Sequence, residues 1–298
     1  LIMRKLLKWI ATLLGVVVLA ALLAFGLAWL KTDRAMARTY AVNDPPLTLP
    51  TDTTALAHGK HLFVTRGCAE CHGDDGAGKL VFDAGPVIKL VAPNITRGGV
   101  TKGLTADQIA AAIRHGVKPD GRPMVFMPTP DFVELSDADT AALIAHLQSL
   151  PESANNPGAL EIRPLGRLMY ALGDFPLLPA EDVDHSPRAR VGPPRGSTAA
   201  YGAYLAQACI GCHGANLAGQ HVPGTPPSFK DARNLTPAAL GEWKEADFRR
   251  ALREGKRPDG SDIDPFMPWK ALSTMSDEEI GALWAYLQTL PPVASKKS

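Results

Sequence analysis

Cys68-Ala69-Glu70-Cys71-His72 returns 141 residues later as Cys209-Ile210-Gly211-Cys212-His213. Two thiols separated by two residues, with an imidazole directly after, form the attachment signature of a covalently held haem. Each thiol adds to a porphyrin vinyl group to make a thioether. The spacing turns the chain so that the imidazole can reach the iron as its proximal ligand. These four cysteines are the only ones in the chain, so no thiol is left for a disulfide or a separate nucleophile. Cys-x-x-Cys pairs also invite a zinc or dithiol interpretation. That interpretation gives no reason for His72 and His213 to follow in the same place, and 141 residues is far outside zinc-finger spacing.

Outward from the two motifs the chain repeats itself. His58-Gly59-Lys60-His61-Leu62 precedes the first motif as Tyr201-Gly202-Ala203-Tyr204-Leu205 precedes the second. Asn94-Ile95-Thr96 answers Asn234-Leu235-Thr236, and Met127-Pro128 answers Met267-Pro268. Leu147-Gln148-Ser149-Leu150-Pro151 answers Leu287-Gln288-Thr289-Leu290-Pro291. Thr105-Ala106-Asp107-Gln108 predicts a capped helix start, closed by Gly116. Ser136 with Asp139, and Ser276 with Glu279, predict the start of each repeat's last helix. Its apolar positions are Leu143, Leu147 and Leu150 in one copy and Leu283, Leu287 and Leu290 in the other. No stretch shows a convincing strand alternation. The expected architecture is all-α: an N-terminal transmembrane helix followed by two tandem haem domains.

The boundaries follow. Residues 1–31 are the anchor, 32–52 a tether, 53–151 the first domain, 152–196 a linker, 197–292 the second domain and 293–298 a tail. Trp9 to Leu30 is uncharged and long enough to cross a bilayer as a helix. Its length favours a retained anchor over a cleaved leader, although Ala35-Met36-Ala37 resembles a cleavage site. Attachment chemistry places the haem domains on the far side of a bacterial inner membrane, in the periplasm. Net charge is +1, which gives no electrostatic footprint for nucleic acid. In the linker, Leu168, Met169, Tyr170, Leu172 and Phe175 are too apolar for a pure spacer. That stretch is expected to pack across both domains and fix the haem separation.

Methionine sulfur is a soft sixth ligand that raises the potential of a haem iron. Met127 and Met267 stand in register with the motifs, each before a proline. Met124 competes with Met127, but Ile263 or Asp264 stands at its place in the second repeat. His58, His61, His115, His146, His185 and His221 each occur once, with Tyr201, Tyr204, Glu254 and Tyr286 opposite the first four. They are read as surface or helix-packing residues. Asn94 and Asn234 are either turn residues or hydrogen-bonding partners near the haem propionates or the methionine loops.

These motifs together resemble the class I cytochrome c fold, twice over. More narrowly they resemble the multi-haem cytochrome subunits of membrane-bound bacterial alcohol and gluconate dehydrogenases. The resemblance implies two covalently bound haem c groups, on Cys68 and Cys71 and on Cys209 and Cys212. It implies His72 and His213 as proximal ligands and Met127 and Met267 as distal ones. It also implies that first and last helices cross at Gly59 and Gly202. Those subunits generally carry three haem motifs, and this chain has two. With both irons six-coordinate the expected function is electron transfer without a catalytic site. The partners would be a dehydrogenase or quinone-linked complex on one side and a soluble cytochrome or oxidase on the other. The alternative is a two-haem redox enzyme such as a cytochrome c peroxidase, which needs an iron that can open a position.

Overall fold

The computed structural model describes residues 2–295, so residues 296–298 of the expected tail lie outside it. In chain order the helices are α1 (Ile2–Ala37), α2 (Thr53–Thr65), α3 (Cys68–His72), α4 (Ala106–His115), α5 (Asp137–Ser149) and α6 (Pro164–Leu172). Then come α7 (Ala199–Leu205), α8 (Gln207–His213), α9 (Pro237–Leu240), α10 (Glu245–Glu254), α11 (Trp269–Leu272) and α12 (Asp277–Leu287). The caps fall where the sequence places them. Thr105 and Gln108 close a reciprocal capping box on α4, and Gly116 ends it at φ +61°. Ser136 caps α5, and Ser276 with Glu279 boxes α12.

Each repeat packs its first helix across its last at contact distance. A Cβ on Gly59 would lie 2.0 Å from the Ala142 carbonyl oxygen, and one on Gly202 1.9 Å from that of Ala282. Only a residue without a side chain lets the two backbones approach so closely. Around the first crossing Leu62, Phe63, Ile109, Ile113, Leu143, Ile144 and Leu147 form a core. Around the second Tyr201, Leu205, Phe248, Leu252, Ile280, Leu283 and Leu287 do the same.

The structure corrects the all-α expectation. Strands β1 (Lys79–Asp83), β2 (Ile88–Ala92) and β3 (Glu161–Ile162) form an antiparallel sheet in the order β1-β2-β3. A bulge between Leu80 and Phe82 breaks the alternation of β1, and β2 is nearly all apolar. Neither strand therefore carries the period that marks a strand in sequence. The first helix runs to Ala37, past the end of the apolar run, because Ala28, Thr32 and Ala35 are buried in a stripe along it. The linker is not a spacer: α6 packs on that stripe. Ala35 joins Ile88, Leu90, Tyr170, Phe175, Leu177 and Leu178 in a third core between α1, sheet and linker. The linker therefore packs mainly on the first repeat and α1. It touches the second at Phe175, whose ring edge would meet a Cβ on Gly224 at 3.2 Å.

Two linker residues and the tether close a buried charged cluster. The Asp44 carboxylate takes Arg190 at 2.5 Å and the His115 Nε2 at 2.9 Å. Arg114 pairs with Asp137 at 2.8 Å, while His115 Nδ1 lies 3.1 Å from His185 Nδ1. His115 is fully buried, so its role is to join tether, first repeat and linker.

Two substitutions test these contacts by urea unfolding of the holoprotein. Gly202→Ala is expected to lose about 3 kcal/mol or more, because backbone must move to admit the methyl group. Gly15→Ala in α1, where nothing lies within 4 Å, should be neutral. Asp44→Ala leaves the Arg190 guanidinium buried without its carboxylate and should cost about 3–5 kcal/mol.

Candidate functional site

The two motif pentapeptides are helical. Cys68 and Cys71 sit one turn apart on α3 with His72 as its last residue, and α8 repeats this with Cys209, Cys212 and His213. His72 Nδ1–H donates to the Pro93 carbonyl at 2.9 Å, and His213 Nδ1–H donates to that of Arg233 at 2.7 Å. A carbonyl only accepts, so the proton is fixed on Nδ1 and Nε2 keeps its lone pair for a metal. Burial pushes both imidazoles further toward the neutral, ligating form. The next turn repeats as well: Gly78 N–H donates to the His72 carbonyl and Gly219 N–H to that of His213.

Burial raises all four thiols, Cys68 to about 12 and Cys209 to about 11. A dithiol redox pair or a zinc thiolate set needs the opposite shift. Nor, among the described residues, do three His, Cys, Asp or Glu side chains converge to hold a metal ion. The two cysteine pairs therefore do not assemble one site.

The methionine loops share part of their backbone hydrogen bonding. Met124 N–H donates to the Gly116 carbonyl as Ile263 N–H donates to that of Gly255, so Ile263 is the counterpart of Met124. Thr129 N–H donates to the Met127 carbonyl and Trp269 N–H to that of Met267, both at 2.7 Å. Pro128 and Pro268 share one backbone conformation. Met127 packs on the same core as Cys68, and Met267 on the same core as Cys209. Phe126, before Met127, is left-handed at φ +63°. Its N–H donates to the Leu177 carbonyl, and its ring meets Phe82 and Phe175.

Asn94 and Asn234 do not reach the methionine loops. Each accepts from the following threonine amide through its side-chain oxygen and donates to the chain beyond the last helix, at Ser153 and Val293. They fasten the end of each repeat to its haem-motif side.

Sequence reasoning missed the contact between the repeats. His61 Nε2 donates to the Glu279 carboxylate at 2.8 Å. In return, Tyr204 Oη–H donates to Asp139 at 2.5 Å. His61 and Tyr204 occupy equivalent places in α2 and α7, and Asp139 and Glu279 equivalent places in α5 and α12. The contact is therefore reciprocal, like the interface of a twofold dimer. The signal was present as a hydrogen-bonding ring and a capping acid at matching positions of both repeats. Beside it Arg66 donates to the Leu205 carbonyl at 3.1 Å, and Asp131 abuts α8, where a Cβ on Gly211 would lie 2.8 Å from Oδ1.

The family model for cytochrome c matches residues 56–151 and again 199–291. The chain belongs to the cytochrome c family. Its relatives include the fructose dehydrogenase cytochrome subunit of Gluconobacter japonicus, 36% identical over 98 residues, 30% of this chain and 20% of that protein. The gluconate 2-dehydrogenase cytochrome c subunit of Pantoea cypripedii is 35% identical over 103 residues, 31% of this chain and 23% of its own length. The cytochrome c subunit of alcohol dehydrogenase (quinone) from Gluconacetobacter polyoxogenes is 38% identical over 104 residues, 31% of this chain and 22% of that one. The cytochrome thus spans about a fifth of the length of the curated relatives it matches. Family membership makes this a haem-binding protein of electron transport. The donor set fits that group: paired thiols on one helix turn, imidazoles with Nε2 free, and a thioether packed on the same core.

The interface acids set a pH window. Burial raises Asp139 and Glu279, but hydrogen bonds from His58 and Tyr204 to the first, and from His61 and the Ser276 amide to the second, outweigh it. Both end below the usual carboxylate range, so their contribution holds above about pH 4 and is lost as pH falls through the folded value. Asp131 is pushed the other way, to about 7, by burial against α8. Its contribution is complete at low pH and lost as pH rises through about 7. Small-angle scattering should therefore show the repeats most tightly docked in mild acid, loosening at both extremes. Asp131→Asn should abolish only the loosening that sets in as pH rises to about 7.

Proposed function

We propose that this cytochrome is a membrane-anchored dihaem electron carrier of the periplasm. Cys68 and Cys71 would attach one haem c, and Cys209 and Cys212 the other. His72 and His213 would be the proximal ligands, Met127 and Met267 the distal ones. Bound haem supplies a one-electron ferric–ferrous couple. The chain's own contribution is to hold the donors still. The Pro93 and Arg233 carbonyls orient the imidazoles, the crossing helices carry the cores beneath the cysteines, and the reciprocal interface fixes one repeat against the other. The observation that carries this reading is the twofold recurrence of an Nδ1-anchored histidine and a methionine loop on one core.

The Ile2–Ala37 helix is long and apolar enough to cross a membrane, and its apolar window is fully exposed. Burial of Ala28, Thr32 and Ala35 against the linker supports its retention in the working protein. The relatives are cytochrome subunits of dehydrogenases, which supports a dehydrogenase as electron donor and a downstream cytochrome or oxidase as acceptor. In this reading no residue is catalytic.

Ligand replacement tests it. Met127→Ala and Met267→Ala are each expected to turn one of two low-spin centres high-spin, lower its potential and let it bind carbon monoxide when reduced. Met124→Ala should leave both spectra unchanged. Carbon monoxide binding by the unmodified reduced protein would favour the peroxidase-like alternative instead.

A further inference from the structure

The helix α6 is apolar on the side that faces away from the protein. Gly166 and Tyr170 are buried toward the third core, and Arg167 and Ala171 face α1. The remaining side carries Leu165, Leu168 and Leu172, at steps of three and four that align on one helical face. Leu165 is 37% exposed and Leu172 68%. Its one charge, Arg167, is taken by Asp33 at 2.5 Å. A helix apolar on every side does not rest stably against water.

The position of α6 along α1 identifies what covers this face. Trp9 and Trp29 stand twenty residues apart, about 30 Å of helix, which is the thickness of a bilayer's hydrocarbon core. Tryptophan marks the headgroup boundary at either end of a span. The Arg167 guanidinium lies over the Trp29 ring at 3.9 Å, and Lys31 Nζ donates to the Ala171 carbonyl at 2.7 Å. The leucine face is thus continuous with the outer end of the span.

We propose that α6 lies in the outer headgroup layer of the bilayer crossed by α1, with Leu165, Leu168 and Leu172 inserted among the lipids. This makes a second membrane contact and, through the third core, sets the tilt of the first repeat over the surface. It rests on the reading of α1 as a span.

The test uses the full-length holoprotein in phosphatidylcholine vesicles. Leu172→Cys, Leu19→Cys within the apolar run and Val191→Cys are each labelled with an environment-sensitive fluorophore. Val191 is 94% exposed on the linker. The unmodified holoprotein, its own thiols held by haem, takes no label if the electron-carrier reading holds. With lipids brominated along their chains, positions 172 and 19 should lose at least about half their emission and position 191 none. Quenching at 19 with none at 172 overturns the proposal and leaves the face to a protein partner. Quenching at neither overturns the span reading and the proposal together.

Discussion

The molecule depends on two helix crossings at which a glycine replaces a side chain by contact with a backbone carbonyl. At Gly59 over Ala142 and Gly202 over Ala282 the axes come close enough for one layer of leucine, isoleucine and phenylalanine to fill each repeat. Without that approach the cores would open, and the helices bearing the cysteine pairs would lose the floor they stand on. The histidines are then set by a single hydrogen bond each, from Nδ1 to a carbonyl of the loop that returns toward Asn94 or Asn234.

Duplication also explains how the repeats meet. A ring nitrogen or phenol on α2 or α7 reaches a first-turn acid of the other repeat's last helix, and the exchange is mutual. Each acid already sits at a helix N-terminus, where backbone amides favour negative charge. In the second repeat Glu279 also accepts from its own Ser276 amide, whereas in the first the Ser136 amide donates to Tyr204 Oη from across the pseudo-twofold axis. Asp131 is the asymmetric element: it packs on the second haem-motif helix where Gly211 leaves room, whereas Glu70 occupies the matching place in the first. Charge state on this face therefore acts in opposite directions at its two ends.

The third core has no counterpart in the second repeat. It joins the sheet to the end of α1 and to the linker, so α1 and the first repeat share one core. Phe126 is held within it by Leu177, which braces the loop of Met127 from behind. Asp44, Arg190, His115 and His185 tie the tether and the returning linker to the same repeat.

The local features were legible in sequence because each has a short-range cause. Cysteine spacing, the capping serines and threonine, the leucine periods and the paired Met-Pro loops are all complete within a few residues. Repetition doubled most such signals, and it is the ground on which the sequence favours Met127 over Met124. The sheet was not legible, since a bulged strand and a nearly all-apolar one carry no alternation. The roles of His61, His115, Asp139 and Glu279 needed the fold, because their partners lie far away along the chain. A sequence states what each side chain can donate or accept. Only packing, by excluding water from His115 or bringing Tyr204 to Asp139, decides which of those bonds is made.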